Sequence, residues 1–283
     1  MTYRIISELS NKYPARMLCE IGGVSRGAYY AWLNAEVKPW EDILIFIKKE
    51  QLKSHNTLGY RRMKIFLLRN HHITIGANRL RAIMLANNLQ AIIRRKRRKN
   101  CREKEMETLA APNVLKRNFH SENPNQKYVT DITYIPLKNT TVYFSAIIDV
   151  YNDEVVATHI SSNGDKNLSL KVVEQLSAKR NLEGALLHSD QGIHYTNKEY
   201  NNLLKKKGII QSMSRKGNCW DNAMAENFFS HYKTECIKFF KKRLNSIEDV
   251  QEVTTAYIEY YNNQRYKAKL GNMAPVEYRL KNF

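Results

Sequence analysis

Three carboxylates in unusual settings are the residues of this chain best suited to do chemistry, and two of them belong to predicted strands. Asp131 lies inside residues 128–135, a β-branched and aromatic run that predicts a strand, where aspartate is disfavoured. Asp190 follows the short apolar run 185–188, and ligand sites of open α/β sheets gather where strands end. Taken singly, Asp131 could be an exposed strand residue bonded to Thr133, and Asp190 could be a turn residue.

The third carboxylate, Glu226, lies on a helix predicted near residues 222–236, with Asp221 expected to cap its start. The helix has an apolar stripe of five residues: Ala225, Phe228, Phe229, Tyr232 and Cys236. Glu226 shares a polar edge beside that stripe with Asn222, Ser230 and Lys233, by the helical spacing of three and four. Alone, Glu226 could equally be a solvated surface residue.

Together the three acids indicate a metal site. Two strand aspartates and a facing helical glutamate can converge on one point, and carboxylate oxygens suit Mg²⁺ or Mn²⁺. Two such ions, about 3.5–4 Å apart, can hold both sides of an in-line phosphodiester displacement. The pattern therefore predicts two-metal phosphoryl chemistry, with Asp131, Asp190 and Glu226 as catalytic residues and metal ligands.

The elements that must position these acids follow from the pattern around them. Strands are predicted at 128–135, 141–149, 154–160, 185–188 and 209–213. Helices are predicted near 166–180 and 197–207, with long helices near 222–236 and 247–261. Three antiparallel strands followed by alternating helix and strand predict an α/β sheet with helices on its faces.

The first 40 residues predict a helix-turn-helix-like segment. Gly22 and Gly23 separate a short helix from a second helix that Ser25 can cap. In the DNA-binding interpretation, the second helix enters the major groove and offers Arg26. The alternative is a plain helical hairpin whose aromatic residues pack inward.

Residues 41–100 predict a helical DNA-binding module that ends in a basic arm. Arg61 and Arg62 are candidate DNA contacts on one of its helices. The arm consists of six adjacent cations: Arg94, Arg95, Lys96, Arg97, Arg98 and Lys99. Such a run repels itself and suits a phosphate-binding arm or a solvated linker. Residues 101–124 are predicted to be a linker, because prolines punctuate a polar stretch.

The overall charge supports a polyanionic partner. The formal net charge is +19, and residues 1–127 carry 25 Lys and Arg against 10 Asp and Glu. Arg215, Lys216 and Lys233 flank Glu226 and could hold DNA phosphates. Four scattered cysteines indicate reduced thiols and not a zinc site. Without an apolar run long enough for a membrane span or a secretion signal, a cytoplasmic, nucleoid-associated protein is expected.

The local motifs resemble one known family. The intervals of 58 and 35 residues between the three acids resemble the D,D(35)E core of retroviral integrases and insertion-sequence transposases. The sequence motifs around Asp131, Asp190 and Glu226 are similar to those of the insertion-sequence-three family of bacterial transposases. The segment 260–265, together with Pro275, resembles the family's C-terminal signature. Tyr266 and Lys267 depart from that signature, and Tyr128 departs from the family's pattern before the first aspartate.

That resemblance implies a ribonuclease-H-like fold for residues 125–283, with a mixed five-stranded sheet, flanking helices and C-terminal helices, preceded by the all-α region. It implies a DDE transposase that uses two Mg²⁺ or Mn²⁺ ions to cut element ends and join them to target DNA. Further expectations are binding of terminal inverted repeats, fusion to a first-frame product by frameshifting, and a homo-oligomer on DNA. The alternatives are a non-catalytic DNA-binding regulator of transposition or a related metal-dependent nuclease.

Overall fold

The computed structural model describes residues 2–33, 40–92, 110–164, 167–215 and 218–283. Two small helical units precede an α/β unit, and each has its own buried apolar cluster. Within the described ranges, no helix combines the length and apolar character that crossing a membrane requires.

The first unit contains three short helices. They are α1 (Thr2–Leu9), α2 (Ala15–Ile21) and α3 (Arg26–Leu33). Gly23 adopts a positive φ of 63° between α2 and α3, and Ser25 Oγ accepts the Ala28 N–H at 3.1 Å. Tyr29 is buried against Trp32, whereas Arg26 and Tyr30 are exposed. The predicted turn and Ser cap are therefore present, and Tyr29 belongs to the core, while Arg26 faces solvent.

The second unit also contains three helices. They are α4 (Trp40–Lys53), α5 (Tyr60–His71) and α6 (Ala77–Ala86). Apolar residues at helical spacing, among them Ile47, Met63, Leu67 and Leu80, form its core. The buried Gln51 amide donates to the carbonyls that precede α5 and follow α6, which ties the ends of the bundle together. The described part of residues 41–100 is thus helical, as the sequence predicts, and we refer to residues 40–92 as the helical module.

The third unit is built on a five-stranded sheet. Its strands are β1 (Lys127–Pro136), β2 (Thr141–Asp149), β3 (Val155–Ser161), β4 (Leu186–Ser189) and β5 (Ile210–Met213). The strand order is β3-β2-β1-β4-β5. The first three strands pair antiparallel, whereas β4 and β5 pair parallel to β1 and to each other. The predicted mixed sheet of the ribonuclease-H-like class, preceded by an all-α region, is confirmed.

Helices cover both faces of the sheet. They are α7 (Asn167–Lys179), α8 (Lys198–Lys206), α9 (Ala223–Tyr232), α10 (Lys238–Phe240), α11 (Ile247–Asn263) and α12 (Pro275–Asn282). Side chains alternate along β1 and β2, so Tyr128 and Ile147 pack against α7 and α8 on one face. Val129 and Phe144 pack against α9 and α11 on the other face. Both faces are therefore buried, as expected of a sheet that contains parallel strands.

The chain before β1 lies along the edge strand β5. Ser212 Oγ accepts the N–H groups of Val114 and Leu115 at 2.9 and 3.0 Å, and the Met213 N–H donates to Pro112 O. Leu115 is buried in the core that also contains α9. Although the sequence predicts a linker over 101–124, its described part, from residue 110, is thus packed on the sheet.

Phe144 provides a test of how α9 is held on the sheet. It is fully buried, and its ring centroid lies 4.8 Å from Tyr232, 5.5 Å from Phe229 and 6.4 Å from Phe228. Phe144→Ala should lower the free energy of unfolding by about 3–5 kcal/mol, because it leaves a cavity under this helix. Denaturant unfolding measures the change. Ile210→Ala, at a half-exposed position on β5, is the matched control, and a loss no larger than the control's would contradict this packing.

Candidate active site

The pairing of β1 with β4 brings the two strand aspartates together. Val129 lies opposite His188 in the parallel register, so two residues further along each strand Asp131 stands beside Asp190. Residues two apart point to the same face, and neighbouring strands lie about 4.8 Å apart. The Gly192 N–H donates to Asp190 Oδ1 at 2.9 Å, and a Cβ at position 192 would stand 2.9 Å from that oxygen. A glycine therefore allows the loop to close on the carboxylate.

Glu226 reaches the same place because α9 lies along β1. Asn222 Nδ2, at the start of the helix, donates to Thr130 O at 3.2 Å. Beyond the helix end, Lys233 Nζ lies 5.1 Å from the centroid of the Tyr134 ring. Glu226 falls between these two contacts, one turn after Asn222, on the edge of the helix that faces β1.

The pKa values of Asp131 and Asp190 are both raised, as expected of carboxylates that lie close together. Burial, followed by the charges of Asp190 and Glu226, raises the pKa of Asp131 to about 7, against a hydrogen bond from the Ile132 N–H. The pKa of Asp190 is raised by restricted hydration and by Glu226, although its side chain remains open to solvent on one side. Because Asp190 and Glu226 both raise the pKa of Asp131, and Glu226 also raises that of Asp190, the three carboxylates share one electrostatic environment.

The donor set of this site fits a divalent cation. Three carboxylates supply the hard oxygen ligands that Mg²⁺ and Mn²⁺ prefer. Asn222 Oδ1 is buried at the same place and accepts no hydrogen bond from the described residues, so it can accept one from ion-bound water. In the described parts of the chain, however, no three His, Cys, Asp or Glu side chains stand close enough to form a ready metal cage. Carboxylates of like charge repel one another unless a cation lies between them. The three acids would therefore have to move closer together to bind a metal ion.

Comparisons with known proteins agree with this geometry. A family model described as Integrase core domain matches residues 121–219, a second model of that description matches 207–275, and an HTH-like domain model matches 39–97. The chain is 24% identical to InsF of Escherichia coli K12, the transposase for insertion sequence IS3A, over 100% of this chain and 99% of that one. It is 37% identical to a protein of the same strain named as a transposase, InsK, for insertion sequence element IS150, over 98% and 97% of the two chains. The chain belongs to the insertion-sequence-three family of transposases. A 31 kDa protein of insertion element IS600 from Shigella sonnei is 33% identical, over 93% of this chain and 98% of that one.

In this transposase, Asp221 has a different role from the helix cap that the sequence predicts. The helix begins after a 3-10 turn (Cys219–Asn222), and the buried Asp221 carboxylate accepts hydrogen bonds from Arg215 Nε at 2.9 Å and Arg117 Nε at 2.7 Å. Hydrogen bonds from Arg215, supported by Arg117, hold the pKa of Asp221 well below its usual range. The start of α9 is thus fixed by ion pairs to the segment before β1 and to the end of β5.

His188 serves the structure of the transposase. Its ring is fully buried, with Nδ1 2.8 Å from Ser212 Oγ and Nε2 3.1 Å from Ser214 Oγ. Since Ser212 Oγ already accepts two backbone N–H groups, its own proton goes to Nδ1, and Nε2 donates to Ser214. Burial lowers the pKa of His188 to about 4. A buried neutral ring that joins β4 to the end of β5 has a structural role, and not one in binding DNA.

The predicted DNA-binding cations fall into three groups. Arg26 and Arg61 are exposed on the helical units, and Arg215 is exposed beside the site while it pairs with Asp221. Arg62 instead binds Glu235 within the protein. Lys233 is exposed beside the site, over the Tyr134 ring. The other seven predicted contacts lie outside the described residues: Arg94, Arg95, Lys96, Arg97, Arg98, Lys99 and Lys216.

Sequence reasoning overlooked Asn222 as a member of the site and Glu235 altogether. The signal for Asn222 was present, because it precedes Glu226 by one helical turn on the polar edge. Glu235 falls by helical spacing on the apolar stripe of its helix, three residues after Tyr232 and next to Cys236, and a carboxylate in that position requires a positive partner. Nothing local in the sequence names that partner.

The pH dependence of stability tests the crowding of the acids. The pKa of Asp131 is 3.8 in the unfolded chain and about 7 in the folded protein. Between these two pH values, the folded protein keeps a proton on Asp131 that the unfolded chain has lost. Stability should therefore fall as pH rises through this window, with the full penalty above about pH 7. Asp131→Asn should stabilise the metal-free protein at about pH 8 by roughly 2 kcal/mol, after allowance for solvent screening, and should change little near pH 4.

Thermal unfolding at the two pH values measures this effect, with Asp42→Asn on the exposed face of α4 as the control. Added Mg²⁺ should raise the melting temperature of the wild type at about pH 8, since a ligand of the folded state stabilises it, but not that of Asp131→Asn. An unchanged melting temperature for the metal-free variant at the higher pH would show that Asp131 is well hydrated.

Proposed function

We propose that this transposase cuts DNA at the ends of its insertion sequence and joins the freed 3′-hydroxyl to a target phosphodiester. Asp131, Asp190 and Glu226 are the proposed catalytic residues and metal ligands. The observation that supports the proposal is the convergence of β1, β4 and α9, which brings three electrostatically interacting carboxylates to the place where these elements meet. The same site would serve cutting and joining, because both are in-line displacements at phosphorus.

The chain's own groups would prepare the site for the reaction. Two Mg²⁺ or Mn²⁺ ions bound there would neutralise charge on the phosphate and lower the pKa of the attacking oxygen. The Ile132 and Gly192 N–H groups fix the orientation of the Asp131 and Asp190 carboxylates by hydrogen bonds of 2.8 and 2.9 Å. Asn222 joins α9 to β1, and its buried Oδ1 could accept a hydrogen bond from a ligand of the site. None of these groups forms a covalent bond with DNA.

DNA is the proposed partner along the basic surfaces of the chain. Lys233 and Arg215 flank the carboxylates and suit the phosphates of the strand being cut. Arg26 and Arg61 on the helical units suit contacts further along the duplex, together with Lys216 and the basic arm 94–99. Because an element has two ends, a homo-oligomer on paired terminal repeats, with the first-frame product fused to this chain, completes the proposal.

Substitution of the carboxylates tests the chemistry. Asp131→Asn, Asp190→Asn and Glu226→Gln should each leave DNA binding intact and abolish strand transfer. A lost metal ligand costs several kcal/mol of transition-state stabilisation, about a thousandfold in rate. The measurement is joining of a 3′-labelled duplex, copied from the DNA that borders the gene, to a plasmid in Mg²⁺ or Mn²⁺. Glu248→Gln, an exposed acid on α11, is the matched control.

The same assay separates the alternatives. A nuclease would cut the labelled duplex and never join it, whereas a regulator would bind the duplex without cutting it in any metal. Normal joining by any one of the three variants would falsify the assignment of that residue as a ligand.

A further inference from the structure

Glu235 is a buried carboxylate on the same continuous helical run as Glu226, yet it lies outside the proposed active site. After Tyr232 the chain passes into a π-helical turn (Lys233–Ile237) and then into α10. Glu235 occupies the middle of that turn and is only 7% exposed. Single π turns inside α-helices are rare and occur often at functional sites. A charged residue in this position requires strong compensation.

Partners from three elements provide that compensation. Arg265 donates from both Nε and Nη2 to the two carboxylate oxygens at 2.9 Å, and Tyr257 Oη donates at 3.1 Å. Arg62 Nη1 lies 3.2 Å from Oε1, and His231 Nδ1 lies 3.4 Å from the same oxygen. Burial alone would raise the pKa of Glu235, but the hydrogen bonds from His231 and Arg265 hold it well below its usual range. Glu235 therefore stays ionised.

Arg62 is the partner that comes from another part of the fold. It belongs to α5 of the helical module, and its second nitrogen donates to Thr57 O at 2.6 Å within that module. One guanidinium group thus joins the module to the helical run that begins with α9. Its side chain is only 24% exposed.

The surrounding interface extends this contact along α5. The Phe66 and Tyr266 rings lie 4.8 Å apart, and Arg69 lies over Tyr266 and donates to Asn272 O at 2.8 Å. The His55 ring stacks on Phe239 of α10 at 3.5 Å between centroids. The module is therefore seated on the C-terminal helices, and Arg62–Glu235 is a partly buried ion pair of that interface.

We propose that Arg62 and Glu235 are positioning residues, which fix the helical module against the helical run that carries Glu226. This inference rests on the proposed function. Buried ion pairs tolerate little change in geometry, because removing one partner leaves an uncompensated charge. Glu235 follows Glu226 by nine residues, on a helical run that continues from α9 through the π-helical turn. A displacement of the helical module on DNA would thus be transmitted to Glu226. Arg62 would bind Glu235 in place of the DNA contact that its sequence position suggests.

Arg62→Met tests the proposal, because it removes the charge, keeps the aliphatic stem and leaves the Arg265–Glu235 pair in place. Lys64→Met removes one charge from an exposed position on the same helix and is the matched control. Hydrogen exchange of residues 223–240 should accelerate in Arg62→Met and not in Lys64→Met. Strand cleavage should fall roughly tenfold, since residues that couple two sites modulate them by this order. Arg62→Lys should restore part of both properties, because it keeps the ion pair.

Binding to a labelled DNA duplex of arbitrary sequence decides the role of Arg62 without any cleavage. If Arg62 positions α9, the slope of log affinity against log salt stays that of the wild type. If it binds a phosphate, the slope falls by about one. A reduced slope together with wild-type exchange in residues 223–240 would overturn the proposal. Should the protein prove unable to cut DNA, the exchange and salt measurements would still decide this inference, while the proposed function alone would fail.

Discussion

The parallel pairing of β1 with β4 is the contact on which the rest of the structure depends. Its register sets Asp131 beside Asp190, and a slip of one residue would turn one of the two carboxylates to the opposite face of the sheet. The pairing is short, because β4 has only four residues, so its register needs support from both sides. The neutral His188 ring supplies part of that support by joining β4 to β5 through two serines.

The third acid depends on three separate anchors of one helical run. The Asp221 ion pairs hold the start of α9, the aromatic contacts of Phe144 hold its middle, and Glu235 holds its continuation. Each anchor binds a different neighbour: the segment before β1, the sheet, and the C-terminal helices with the helical module. Packing and ion pairs in this way oppose the mutual repulsion of the carboxylates, which would otherwise separate them.

Local patterns in the sequence were sufficient to predict the sheet and the elements that carry the three acids. The strand predicted at 128–135 is evident from β-branched and aromatic residues, and the helix carrying Glu226 is evident from its apolar stripe. The ion pairs were not predictable, because Arg62 and Glu235 are 173 residues apart and Arg117 and Asp221 are 104 apart. A sequence pattern reports the face on which a charge lies, but not the distant residue that neutralises it. For that reason Asp221 was interpreted as a local cap and Arg62 as a DNA contact.

The chain that lies along β5 has a consequence for how the catalytic unit can be isolated. An edge strand presents unpaired N–H and C=O groups that can recruit a strand from another molecule. Pro112, Val114 and Leu115 cover part of that edge through Ser212 and Met213, and Leu115 also fills the core. A fragment that begins at residue 125 would lose this cover. It would expose both the unpaired edge of β5 and an apolar cavity. Self-association of such a fragment would then reflect the loss of the segment before β1, and not the assembly of the intact transposase.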